Sequence, residues 1–101
     1  MTLPVFLHIE ATPNLNEMDA LKSYLSQAPY IMKEFGGVHI ATYDVERALD
    51  GADSPAVFAV ISFPSRDAID NFFEDSAYQA IVPLRDQGFS HLRFYVTSER
   101  I

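Results

Sequence analysis

An α+β fold built on one antiparallel sheet is predicted from three observations. Four short segments, near 4–11, 38–46, 56–63 and 89–97, are either apolar throughout or apolar at every second residue, the pattern of strands. Two segments between them, Leu15–Glu34 and Arg66–Arg85, repeat apolar residues at helical spacing instead. Proline or glycine stands close to each change of period. The resulting order is β-α-β-β-α-β. At 101 residues and 49% apolar content, one domain over residues 1–101 with its own core is expected.

In the first strand Val5, Leu7 and Ile9 face one way and Phe6, His8 and Glu10 the other. Thr12-Pro13-Asn14 stops it, and Asn14 with Glu17 three residues on has capping-box spacing. Leu15, Met18, Leu21, Leu25, Ala28 and Met32 form the apolar stripe of a helix over Leu15–Glu34. Pro29 removes one backbone donor there and should bend the helix near Leu25–Ala28. Phe35-Gly36-Gly37 supplies a left-handed glycine cap. Val38 to Tyr43 alternates again, and Asp50 to Pro55 is turn chemistry. Ala56–Phe63 is apolar at nearly every position, as a strand covered on both faces would be. Pro64 ends it and Ser65 caps a helix over Arg66–Glu74. Ser76 and Gln79 repeat the capping-box spacing and start a short helix to Arg85, and Gly88 breaks the chain before the last strand. In that strand Leu92, Phe94 and Val96 face the helices, while His91, Arg93 and Tyr95 face away.

This order is the ferredoxin-like arrangement, with strand order 4-1-3-2 and both helical segments on one face. The other face would carry Phe6, Tyr43, Phe58, Val60 and Tyr95, too much contiguous apolar surface to leave in water. A second copy of the same sheet is the simplest cover, so a homodimer through the non-helix face is expected.

Composition removes several function classes. The formal charge is −7 and lysines and arginines do not cluster, which disfavours nucleic acid and anionic membranes. There is no cysteine, hence no disulfide, thiolate metal site or cysteine nucleophile. No HxH or HxxxH spacing suggests a metal, nothing resembles a haem motif, and no cofactor is expected. Met1-Thr2-Leu3-Pro4 has no basic region followed by a long apolar run, so a cytoplasmic protein is the expectation.

Four pieces of the chain carry a family resemblance: Tyr24 with Ala28-Pro29; Phe35-Gly36-Gly37; Ser62-Phe63-Pro64-Ser65; and Tyr78-Gln79-Ala80-Ile81 through Pro83-Leu84-Arg85. In this order and spacing they resemble the DUF1330 family of small bacterial proteins. The resemblance spans most of the chain and implies a dimeric α+β barrel. Relatives in that superfamily include cofactor-independent monooxygenases, muconolactone-isomerase-like enzymes and haem-dependent chlorite dismutases. The family usually places an acidic residue before Phe-Pro, where this chain has Ser62, so a role resting on that carboxylate does not transfer.

Pairing the strands about their centres sets Glu10 opposite His91, His8 opposite Arg93 and Phe6 opposite Tyr95. The same rule sets His39 opposite Ser62, Ala41 opposite Val60 and Tyr43 opposite Phe58. All three histidines then fall on the non-helix face. One end of that face gathers His39, Ser62, Glu10 and His91; the other gathers Tyr43, Phe58, Phe6 and Tyr95. In a face-to-face dimer His8, His39 or His91 would act as general base and Arg93 would hold a small organic anion, with Glu10, Ser62 and Tyr43 lining the cleft. Tyr78 and Arg85, seven residues apart on one helix face, would clamp a carboxylate, or else pack structurally with Arg85 paired to Asp75 or Asp86. The function expected is a cofactor-independent enzyme of isomerase or monooxygenase type acting on a small carboxylate or aromatic compound. The alternative is a non-catalytic ligand-binding or purely structural homodimer.

Overall fold

Alternation in the sequence becomes a two-layer structure in the computed structural model, which describes residues 3–101; Met1 and Thr2, read above with the N-terminus, lie outside the described residues. Strand β1 spans Val5–Pro13, β2 Val38–Asp44, β3 Val57–Phe63 and β4 Phe89–Thr97. Helices α1 (Met18–Leu25), α2 (Ala28–Glu34), α3 (Arg66–Glu74) and α4 (Ser76–Gly88) lie between them. The sheet order is β2-β3-β1-β4, with each neighbouring pair antiparallel, as the ferredoxin-like reading requires. Val5, Leu7, Ile61 and Phe63 point from the two central strands into a core closed by Ile69 and Phe72 of α3 and Tyr78 and Ile81 of α4. Leu7, Phe63, Phe72 and Tyr78 are essentially inaccessible to water. Burial of this kind stabilises by about 1.5–3 kcal/mol per large apolar side chain.

The helices begin and end differently from the sequence reading in three places, each for a local reason. Asn14 does not cap a helix. Its Oδ1 accepts from the Asn16 N–H at 3.1 Å and its carbonyl from the Glu17 N–H at 3.0 Å, which makes a turn, and α1 starts only at Met18. The single bent helix over Leu15–Glu34 is two helices, interrupted at Ser26 and Gln27; Pro29 sits in the first turn of α2, where a missing N–H costs nothing. Asp75, not Ser76, caps α4, accepting from the Ala77 N–H at 3.0 Å, and α4 continues past Arg85 to Gly88. Ser65 caps α3 as expected, accepting from the Ala68 N–H at 3.1 Å.

Two glycines answer to close geometry. Gly36 takes a φ of 85° and closes α2: its N–H reaches the Lys33 carbonyl, and the Gly37 N–H reaches that of Met32. Gly88 ends α4 where it crosses α1, and a Cβ there would stand 2.9 Å from the Leu21 backbone.

Register departs from the central pairing on both sides of the sheet. Strand β1 continues past Ala11 to Pro13, so its centre moves and the pairing with β4 slips by two. Glu10 lies opposite Arg93, His8 opposite Tyr95, Phe6 opposite Thr97 and Thr12 opposite His91. In β2 a bulge at Ile40 separates His39, opposite Ile61, from Ala41, opposite Val60. Tyr43 remains opposite Phe58, as expected. The extra residue reverses the parity of the first half of β2, so Val38 joins the bare face and His39 leaves it.

Candidate functional site

The space between sheet and helices is not filled evenly. At the end where Val5 pairs with Phe63, large side chains close it. Toward the other end the sheet offers Ala11 and Ala59, and the helices offer Ala28, with Gly37 at the margin. These small residues leave a cavity of about 360 Å³, the size range of small-molecule sites. Ile9 and Ile61 of the sheet, Leu21 and Met32 of the helices, and Leu92 and Phe94 of β4 complete an almost wholly apolar wall. Polar side chains on the lining are confined to Tyr24, His39 and Thr42.

His39 was expected on the non-helix face opposite Ser62. The bulge at Ile40 places it on the helix side instead, opposite Ile61, where it lines the cavity. Its Nε2 lies 2.8 Å from Thr42 Oγ1. Both residues are also exposed to solvent, which sets them at the cavity mouth. A histidine there can exchange protons with both bulk water and the interior.

Deeper in, Tyr78 is fully buried and its hydroxyl lies 2.9 Å from that of Tyr24. Arg85 Nη1 donates to the Tyr78 oxygen at 3.2 Å, and Arg85 Nε to Asp86 Oδ1 at 3.1 Å. Tyr78 and Arg85 therefore do share a face, with Arg85 paired to Asp86, the acid one residue on. Burial, followed by the neighbouring Tyr78, pushes the Tyr24 phenol far above its ordinary range and keeps it protonated. Burial also works against the Arg85 charge, but its contacts with Tyr78 and Asp86 more than offset this and raise its pKa. A smaller cavity of about 250 Å³ opens beside Arg85 and Asp86 and shares Phe89, Leu92 and Phe94 with the first.

The bare face holds the other site residues, in rows set by the register. One row runs Arg93, Glu10, Phe58, Tyr43; the next Tyr95, His8, Val60, Ala41; the next Thr97, Phe6, Ser62, Val38. Glu10 and Ser62 do not share an end. Strands β1 and β3 are antiparallel, which sets Glu10 opposite Phe58 and Ser62 opposite Phe6. The expected cluster of His39, Ser62, Glu10 and His91 is thus not formed. What remains is Glu10 with His91, 3.5 Å apart on a diagonal, and with Arg93 opposite. Arg93 also lies over the Tyr95 ring, 5.3 Å from its centroid. Among the described residues no three His, Asp or Glu side chains gather into a metal site.

The sequence reading missed Tyr24 and Thr42 as site residues. For Tyr24 a signal existed: Leu21, Tyr24 and Ala28 have helical spacing and line one wall. For Thr42 the signal was alternation: with Tyr43 opposite Phe58 on the bare face, Thr42 faces the helices, whatever the bulge at Ile40 does.

A comparison with curated proteins returned no match. Among solved structures the chain is similar to RPA0582, a protein of unknown function from Rhodopseudomonas palustris, at 14% identity and TM-score 0.84, covering 100% of this chain and 85% of that one. It is similar to a dimeric ferredoxin-like protein of unknown function from Jannaschia at 8% identity and TM-score 0.68, covering 95% and 99%. It is also similar to SnoaB, a cofactor-independent oxygenase from Streptomyces nogalater, at 12% identity and TM-score 0.66, covering 99% and 96%. At these identities the likeness is one of fold. No helix among the described residues is long and apolar enough to cross a membrane. Residues 8–97, nearly the whole sheet and all four helices, match the family described as Domain of unknown function (DUF1330), and the chain belongs to that family.

Proposed function

We propose that this chain binds one small, mainly apolar molecule, an aromatic compound or its carboxylate, in the cavity between sheet and helices, and acts on it without a cofactor by proton abstraction, the proton being returned at another carbon in an isomerase or the resulting carbanion being oxidised by molecular oxygen in a monooxygenase. The observation that carries the reading is the cavity itself: about 360 Å³ of apolar space with a histidine at its mouth. His39 serves as the base, Thr42 orients its ring, and Tyr24 meets the ligand from the wall. The fold likeness to a cofactor-independent oxygenase supports the reaction class.

The bare face is read as the contact with a second copy. Phe6, Phe58, Val60 and Tyr95 adjoin there, and a similar structure is described as dimeric. The molecule measures 43 × 35 × 16 Å, so its broad face provides the roughly 800 Å² per partner that a stable interface needs. Glu10, His91 and Arg93 then supply adjoining polar groups within that contact, with His8 one row away between Val60 and Tyr95. Glu10 lies opposite Arg93 and 3.5 Å from His91, so a carboxylate of the chain itself already meets the Arg93 charge, which disfavours an organic anion at this cluster.

Replacing Ala59, which lines the cavity from β3, with Phe tests the reading. Small aromatic compounds that raise the unfolding temperature of the wild type should no longer do so in Ala59→Phe. Equal stabilisation of both proteins would place the ligand elsewhere.

A further inference from the structure

We infer that Arg85, Tyr78 and Tyr24 form a one-way hydrogen-bond relay whose last donor, the Tyr24 O–H, projects into the cavity, and that the site therefore selects ligands carrying an acceptor oxygen, a ring-bound carbonyl, over plain hydrocarbons of the same shape. This rests on the cavity being the ligand site.

Two phenols bring two hydroxyl protons, and the single contact between them at 2.9 Å uses one. Arg85 has no acceptor, so its 3.2 Å contact consumes a lone pair of Tyr78 and supplies a further proton to the group. Among the described residues neither hydroxyl has another side-chain or backbone partner, so one hydroxyl proton has no acceptor within the protein. It belongs either to Tyr78 or to Tyr24. An unpaired O–H on Tyr78 would be sealed in a fully buried position, at the full desolvation penalty of a lost hydrogen bond. Tyr24, by contrast, lines the cavity, and Tyr78 does not.

Electrostatics choose the same direction. The Arg85 cation beside the Tyr78 oxygen makes that hydroxyl a stronger donor and a poorer acceptor, so Tyr78 donates to Tyr24. The Tyr24 O–H is left pointing onward. Its elevated pKa keeps it a donor across the ordinary pH range. The rings are held in place: Tyr24 packs edge-on against Tyr78 and Phe89, and Arg85 lies over the Tyr78 and Phe94 rings. Such a donor, fixed in advance in an apolar wall, favours an oxygen that gains negative charge during proton transfer, as a ketone does on becoming an enolate.

Acetophenone and ethylbenzene form the test pair, nearly equal in shape and differing in one acceptor oxygen. Binding of each to wild type and to Tyr24→Phe is measured by calorimetry, with the carbonyl stretch of bound acetophenone read by infrared spectroscopy. Acetophenone should bind the wild type more tightly than it binds Tyr24→Phe by roughly three- to tenfold, the worth of one hydrogen bond, with ethylbenzene unchanged. The carbonyl stretch should shift to lower frequency in the wild type alone. If both proteins bind both probes with the same preference and the same stretch, the relay is wrong and the cavity stands. If the wild type binds neither probe, the cavity reading itself falls, and the relay with it. Should Tyr24→Phe not fold, Arg85→Met is read instead: a reduced carbonyl shift supports the relay, and an undiminished one overturns it.

Discussion

The two faces of one sheet have been put to different uses by the same four strands. Toward the helices the central strands present Val5, Leu7, Ile61 and Phe63, closed over by α3 and α4. Away from them they present Phe6, His8, Glu10, Phe58, Val60 and Ser62, on the face that the helices among the described residues leave uncovered. The covered face is dense at one end and hollow at the other. The open face mixes aromatic side chains with a small charged cluster. A core that serves stability alone fills its space, so the hollow end gives up stability, and it is there that the proposed ligand would find room. The open face shows the reverse economy: its apolar groups contribute nothing to a lone chain and become useful only when a second surface meets them.

The largest effect expected from breaking this contrast is at the dense end. Phe72→Ala removes a fully buried ring from the covered face and should cost about 3–5 kcal/mol, read as a fall in the urea midpoint. Against a total stability of about 5–15 kcal/mol for a domain, that is severe. An unchanged midpoint would mean that the core repacks freely.

On the open face, Val60→Asp should leave the chain folded but weaken self-association by about 2–4 kcal/mol, because a carboxylate would be trapped without a partner between the sheets. Sedimentation at micromolar concentration should then show a monomer where the wild type is a dimer. A wild type that sediments as a monomer would end the interface reading.

The third expectation concerns pH and is the smallest near neutrality. Tyr24 ionises far less readily in the folded chain than in the unfolded one, because burial and its Tyr78 neighbour oppose the charge. A raised folded-state pKa gives stability that is whole below the unfolded value and is lost as pH climbs above it. The unfolded phenol ionises near about 10, so above that point stability should fall by about 1.4 kcal/mol per pH unit for this one group. Tyr24→Phe should remove that part of the alkaline slope, as measured by urea titrations between about pH 9 and pH 11. An unaltered slope would mean that Tyr24 is not held neutral by its surroundings.

Much of the fold was legible because strand and helix differ in period. Ala56–Phe63 reads as a central strand from its apolar run, and parity gives the faces of β1, of β3 and of β4 from His91 onward; Phe89 is the exception, because the register shifts at Ser90 and turns it toward the helices. What parity cannot register is an odd residue. Val38 to Tyr43 alternates as cleanly with a bulge as without one, so the position of His39 was read one face wrong. Nor does a proline end a strand at the residue where it stands: Pro13 still pairs with Phe89, and those last residues of β1 moved the register with β4 by two. The antiparallel direction of β1 and β3 is implicit in the strand order and by itself separates Glu10 from Ser62. The cavity was illegible for a different reason. Ala11, Ala28, Ala59 and Gly37 are each ordinary; only their meeting at one end leaves a space. Tyr78 and Arg85, by contrast, could be placed on one face by spacing alone, and their contact is direct.

The bulge at Ile40 carries a consequence for how this family's chains can change. It lies in an edge strand, exposed, with no strand among the described residues on its outer side. Gain or loss of one codon near it would exchange Val38 and His39 between the open face and the cavity side without touching the rest of the sheet. A lineage could thus install or withdraw an ionisable group at the mouth in a single insertion or deletion, a step that point substitution could match only with several changes at once. Chains of this fold that differ in length by one residue here would carry the same scaffold and different chemistry.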